Sequence, residues 1–406
     1  MNKKLTDISD KHIFYVSRDL ERALWAKAMP FVSIITNNTP FAKILAKKYP
    51  NIILIESETA LDTWQLLEHP QVITKINTQT LPHILVFKNT KKIESICTKE
   101  GWILLNPTAT LSNSIEEKIT QVEWLDNLAS YLPPHRIETL SNIVWADTPF
   151  ILQFNRSHTG SGTLLIHSKE TLQELQQKFP HRPVRISTVI DGAMITSNNV
   201  VSKDDIIVGN INYQITGLFP FTDQAFATIG NDWGVAHTLL DEQQRKEYST
   251  MVHAIGGQLR NSGWRGLFGI DVMIEQNTGK LFLIEINARQ AASTTFESYL
   301  QTKQHKDGVT IGEAHLLALL EISVTQTDLI PIKNGAQIIL RNKQNSPMRH
   351  LERLSQQLES EGLTVFPYEN TKPGSDALRI QSSEQIMTEH NIFNDHGKRI
   401  ATIIGA

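Results

Sequence analysis

The stretch that most constrains this 406-residue chain runs from Gly263 to Arg289. Two apolar runs, residues 267–274 and 281–286, flank Gln276-Asn-Thr-Gly-Lys280. A short polar break with a glycine between such runs predicts a β-hairpin with a loop of about five residues. If the loop is centred on Thr278, Asp271 and Glu285 stand directly opposite each other on one sheet face. Side chains two residues apart on a strand share a face, so Asn287 and then Arg289 follow Glu285 on that side. Two opposed carboxylates in apolar strands repel, and burial adds a desolvation cost. A positive group between them resolves the conflict. A hard divalent cation fits, because Mg²⁺ usually takes one or two carboxylates together with substrate phosphates. Asp271, Glu285 and Asn287 are then its ligands, and Arg289 meets an anion. The plainer alternatives are that both acids lie at solvated strand ends, or that Arg265 or Arg289 neutralises one of them.

The rest of the chain divides into three parts. In residues 1–111, short apolar runs at 12–17, 31–36, 52–56, 83–87 and 102–105 alternate with helical patterns such as 40–48 and 59–69. The runs lack period-two alternation, as strands buried on both faces do. Strands and helices in alternation predict a parallel, doubly wound sheet. No G-x-G-x-x-G follows the first run, so a dinucleotide fingerprint is absent. Residues 112–329 open with a helix at 114–132, ended by Pro133-Pro134. Strands at 150–154, 163–167, 184–190 and 206–208, a helix at 170–179 and a long helix at 241–261 lead to the hairpin. Ser168 is a fair N-cap for the helix at 170–179. Residues 330–406, with a strand at 335–341 and a helix at 348–361, read as a small C-terminal α+β domain.

Composition excludes several classes. Hydrophobic residues make up 40% and charged residues 20%, an ordinary globular balance rather than a disordered one. Lys plus Arg number 39 against 42 Asp plus Glu, so no basic excess points to nucleic acid. The single cysteine, Cys97, makes neither an intrachain disulfide nor a thiolate metal site, which fits a reducing cytoplasm. The opening MNKKLTDISDKHIF has no long apolar run, so no signal peptide is expected, and no run approaches a membrane span of ~20 residues. The 14 histidines contain no H-E-x-x-H, and there is no G-x-S-x-G. Trp233 and Trp264 read as core or loop anchors. Asn231-Asp232 reads equally as a turn or as a reach toward the site.

The middle of the chain resembles the ATP-grasp superfamily. That family's core ends in a helix, a G-x-x-G entry, a strand holding an acid and a strand running E-x-N-x-R. Here these are Gly263-Trp-Arg-Gly266, Asp271 and Glu285-Ile-Asn287-Ala-Arg289, in order and at the family spacing. The resemblance implies an ATP-grasp fold with a mobile lid at about 145–215, preceded by a Rossmann-like domain and followed by a small closing domain. It implies Lys118 as a contact to nucleotide phosphate. It also implies ATP and Mg²⁺ as cofactors, with Mn²⁺ as a substitute, and paired subunits are common in the family.

Between two strands lies Asn155-Arg-Ser-His-Thr-Gly-Ser-Gly-Thr163. A Walker A loop needs Gly-Lys-Ser/Thr and a following helix, and here a strand follows. In the family such a hairpin is a lid over the triphosphate. Thr159, Gly160, Ser161 and Gly162 are candidates to cradle phosphate with backbone N–H groups, and Arg156 or His158 could add charge. Three departures stand out. Gln153 occupies the position where the family usually carries a Lys. The usually acidic adenine hinge reads Ile186-Ser-Thr-Val-Ile-Asp-Gly192, leaving Thr188 and the backbone of Val189 and Ile190 to meet the base. No Glu follows to hold the ribose.

The activity implied is ATP-dependent ligation of a small-molecule or peptide carboxylate to an amine, or a related nucleophile, through an acyl phosphate. Arg289, with Arg265 as a second candidate, would steady the transferring phosphoryl group or the carboxylate. A nucleotide-binding module without turnover and an ATP-dependent carboxylase using bicarbonate are the other readings.

Overall fold

The computed structural model describes residues 5, 8, 11–155, 162–342, 351–368 and 372–405. Its first unit is a parallel sheet of β1 (Ile13–Val16), β2 (Val32–Asn37), β3 (Ile52–Ile55), β4 (His83–Val86) and β5 (Ile103–Leu104), ordered β3-β2-β1-β4-β5. β1 and β2 are buried throughout, which explains why their sequences run apolar without alternation.

A second, antiparallel sheet consists of β6 (His135–Thr139), β7 (Phe150–Phe154), β8 (Thr163–Ile166) and β9 (Pro183–Thr188), ordered β6-β9-β7-β8. β7, β8 and β9 fall within the segment expected as a lid, 145–215, and β6 precedes it. The helix Lys169–Lys178 starts at Ser168, whose hydroxyl accepts from the Thr171 N–H at 3.2 Å. The helix expected at 114–132 is broken into Ala109–Glu116 and Thr120–Leu125, followed by a 3₁₀ segment. Lys118 lies in the break.

The central sheet begins with β10 (Gly192–Val201), β11 (Ile206–Ile207), β12 (Asn212–Thr216) and β13 (Thr228–Asp232). It continues through the hairpin β14 (Gly266–Glu275) and β15 (Leu281–Asn287) and ends with β16 (Ala336–Arg341), β17 (Thr364–Pro367) and β18 (Asp376–Ser382). The order is β15-β14-β10-β12-β13-β16-β18-β17, with β11 on β10. The strands after residue 330 therefore extend this sheet. The helix Glu242–Asn261, held at its start by the Asp241–Gln244 capping box, packs Tyr248, Met251, Val252 and Ile255 against one face. Ile270, Val272 and Ile286 join that core. By alternation Asp271, Glu285 and Asn287 point to the other face.

Trp233 and Trp264 are buried in apolar clusters, as anchors should be. Asp232 is a buried strand residue whose carboxylate accepts the N–H groups of Val235, Ile386 and Met387, so it fastens loops to β13. No described helix is long and apolar enough to cross a membrane.

Candidate active site

The hairpin starts from two glycines in the left-handed region, Gly263 (φ +87°) and Gly266 (φ +84°). A Cβ on Gly266 would lie 2.6 Å from His315 Nδ1, so only glycine lets the chain enter β14 under the helix Ile311–Leu319. Antiparallel pairing then sets Asp271 opposite Glu285 and Gly269 opposite Asn287. Beyond Asp271 the register shifts, and Val272 pairs with Leu283. The extra residue, Ile284, is a bulge next to Glu285, a common device for re-aiming a side chain. β10 flanks the pair on the other side, with Thr196 opposite Asp271 and in hydrogen bond with its carboxylate. Asn287 Nδ2 donates to Asp271 Oδ2 at 3.3 Å.

Lys118 supplies the nearest positive charge. Its Nζ lies 3.1 Å from Glu285 Oε2, and its side chain is buried. Asn155, at the end of β7, fixes this segment: its carbonyl accepts the Lys118 N–H at 3.1 Å and its Oδ1 accepts the Ile119 N–H at 2.9 Å. The break in the helix thus places the ammonium against the hairpin. Arg289 is held through Glu116, its Nε 3.4 Å from Oε1, while Lys88 takes the other oxygen at 2.6 Å. Ser112 donates to the Ala288 carbonyl, and Gln290 is bound by Tyr15 and by the Arg22 carbonyl, so the segment after β15 is tied to the first sheet.

The two acids respond oppositely to this setting. Burial, then the charge of Glu285, pushes the Asp271 carboxyl up to about 6. Burial also acts upward on Glu285, but Lys118, Arg289 and Arg185 together hold it below the usual range. The donor set, two opposed carboxylates beside an amide on one face, fits a hard divalent cation that keeps water and phosphate oxygens for its other positions. Among the described residues no group of three or more His, Cys, Asp or Glu is placed to hold a metal ion by itself.

The structure does not bring every expected residue here. Arg265 precedes the far end of β14, six residues from Asp271 and so roughly 20 Å along the strand. Its Nη1 donates to the Trp264 carbonyl instead. Thr188 ends β9, with its N–H given to Pro134, and Val189 and Ile190 follow outside any ladder. The Gly162 carbonyl accepts from the Phe154 N–H at 3.0 Å and closes the β7–β8 hairpin. Arg156, Thr159, Gly160 and Ser161, with His158, lie outside the described residues.

One residue was missed by sequence reasoning. Arg185, on β9, is paired in register with Gln153 on β7 and is buried. Gln153 Oε1 accepts from its Nε at 2.9 Å and its Nη2 at 2.7 Å, and Gln153 Nε2 donates to Thr163 Oγ1 at 3.2 Å. A single arginine in an apolar strand was the only signal.

The candidate site thus brings together a hairpin with opposed acids, a lysine set against it and a four-stranded antiparallel sheet. Residues 115–293 match the family of the ATP-grasp domain, and the chain carries that domain. No curated protein matches the sequence. Among solved structures the chain is similar to carboxyaminoimidazole ribonucleotide synthase from Aspergillus clavatus complexed with ATP. That match has 14% identity and a TM-score of 0.66, and covers 97% of this chain and 98% of that one. N5-carboxyaminoimidazole synthetase from Staphylococcus aureus gives 13%, 0.66, 98% and 98%. L-amino acid ligase from Bacillus licheniformis gives 13%, 0.65, 97% and 97%. These likenesses show that the chain shares the fold of these enzymes along almost its whole length.

Proposed function

We propose that the protein joins a small-molecule or peptide carboxylate to an amine, using ATP and an acyl phosphate. The observation that carries this reading is the Asp271–Glu285 pair with Asn287 beside it and Lys118 Nζ at 3.1 Å. Two opposed carboxylates are costly in a protein with no use for a cation between them.

Phosphoryl transfer asks mainly for positioning and charge neutralisation. Asp271, Glu285 and Asn287 would hold Mg²⁺, or Mn²⁺ in its place, which supplies positive charge against the triphosphate. Val189 and Ile190 receive the adenine edge through their backbone. Lys118 neutralises a phosphate oxygen. The bond from the γ-phosphorus to the bridging oxygen breaks toward ADP, and a substrate carboxylate oxygen bonds to that phosphorus. Arg289, steered by Glu116, steadies the transferring group with its guanidinium fork. The amine then attacks the acyl carbon, phosphate leaves, and the amine gives up a proton. No protein nucleophile is required.

A second reading keeps the first half-reaction and takes bicarbonate as the acid. It is supported by the fold likeness to two enzymes named for carboxyaminoimidazole products. A module without turnover is the third, supported by Gln153 and the hinge without acids. ADP release is to be measured with acid and amine panels, with bicarbonate, and with hydroxylamine as a trap. Hydroxamate formed from an organic acid supports ligation. Bicarbonate-dependent ADP release without hydroxamate supports carboxylation. ATP binding with no ADP release in any mixture would leave the module.

A further inference from the structure

Arg185 is a buried cation whose hydrogen bonds all go to neutral oxygens. Besides the two to Gln153, its Nη1 donates to Gln121 Oε1 at 3.3 Å and its Nη2 to the Ile284 carbonyl at 3.5 Å. Four of its five N–H groups are thus engaged, and one on Nη1 is spare. Among the described residues no carboxylate lies within ion-pair distance of it. A buried charge without an opposite partner is expensive, and burial draws the Arg185 pKa down to about 10 despite the field of Glu285. The cost is met if an anion enters beside it.

Three features say which anion. Arg185 stands four residues before Val189, which follows the end of β9, so about 13 Å along an extended chain. That span separates a base from its phosphates. Arg185 and Lys118 both act on Glu285, so the guanidinium lies toward the hairpin that would hold the metal. Gln153 is clamped between Arg185 and Thr163 on the hairpin that runs into the glycine loop.

We infer that Arg185 binds a phosphate group of the nucleotide, supplying from β9 the positive charge that β7 lacks at Gln153. This rests on the ATP reading above. The neutral Gln153 then serves as an orienting acceptor: it holds two N–H groups of the fork and sets the spare Nη1 N–H to meet a phosphate.

The test is calorimetric titration of the full-length protein with adenosine, AMP, ADP and ATP in Mg²⁺. In the unaltered protein affinity should rise with the number of phosphates. R185Q should weaken ADP and ATP at least about tenfold and leave adenosine within about twofold. The double variant Q153K/R185Q, which returns the charge to the paired position on β7, should regain most of the loss. If R185Q does not fold, R185K carries the same comparison, since it keeps the charge and loses the fork; a several-fold loss confined to ADP and ATP is expected. R185Q or R185K binding ATP as the unaltered protein does, or losing adenosine and ATP equally, would overturn the inference alone. Failure of the unaltered protein to bind any adenine nucleotide would overturn it together with the ATP reading.

Discussion

Asp271 and Glu285 face each other across β14 and β15, yet their carboxyls are driven apart in acidity, one pushed up to about 6 and the other held below its usual range. The asymmetry follows from Lys118, which touches Glu285 at 3.1 Å. A cation entering between them competes with a proton at Asp271 only. Apparent Mn²⁺ affinity should therefore climb by up to roughly tenfold per pH unit below about 6 and level off above it. Titration with Mn²⁺ from about pH 5 to pH 8 checks this. A flat profile would remove Asp271 from the ligand set.

The same pair sets a stability cost. Above about pH 6 the folded chain holds an ionised Asp271 that the unfolded chain holds more easily, so this group lowers stability as pH rises through the window between its unfolded value and 6. Asp271→Asn keeps the shape and removes the charge. In chelator at pH 8 it should raise stability by about 1 kcal/mol, an amount already reduced for partial solvent screening, or roughly 2 °C in Tm. It should also erase the stabilisation that Mg²⁺ gives the unaltered protein. A lower Tm in chelator would show that Asp271 is an internal structural partner.

Arg289 is steered by Glu116, which Lys88 braces from the other side. A lysine in its place keeps the charge and loses the planar fork. Arg289→Lys should lower kcat by about a hundredfold, the scale of losing one well-placed charge donor at a transferring group, while the Kd for Mg-ATP changes less than about threefold. Equal losses in both would make Arg289 a ground-state contact, and no loss would take it out of the site.

How much of this was legible depended on whether the pattern was local. The first five strands could be read because each is a short apolar run, with β1 and β2 buried on both faces. The opposition of Asp271 and Glu285 could be read from the hairpin loop, but for a reason sequence does not disclose. Near the turn Ile274 pairs with Leu281, half a residue away from symmetry about Thr278, and the bulge at Ile284 restores the pair. β10 was not legible: its middle, Thr196-Ser-Asn-Asn199, looks like a turn. Those side chains are polar because one face meets the acids and the other meets Tyr248, whose hydroxyl bonds Ser197. The break at Lys118 depends on Asn155, which lies far along the chain. The joining of β16 to β13 is likewise a long-range pairing that no local pattern announces.

Behind the site the chain keeps a carboxyl that no sequence pattern singles out. Glu297, in the first turn of the helix Thr294–Lys303, is buried and accepts from Asn198 Nδ2 at 2.5 Å and from Asn210 Nδ2 at 3.4 Å. Both partners are neutral, so burial dominates and pushes it up to about 8. The folded chain therefore carries a proton there that the unfolded chain releases near pH 4.5, and stability falls as pH rises from that value to about 8. Glu297→Gln has no proton to lose, and Asn198 can turn its amide to meet the new N–H groups. The variant should match the unaltered protein near pH 5 and exceed it by about 2 kcal/mol at pH 8. That lies inside the ceiling of about 1.4 kcal/mol for each pH unit between the unfolded and folded values. Urea unfolding at several pH values checks this. Parallel curves for the two proteins would mean that Glu297 is ionised in the fold, with a cation reaching it that the contacts of Asn198 and Asn210 do not reveal.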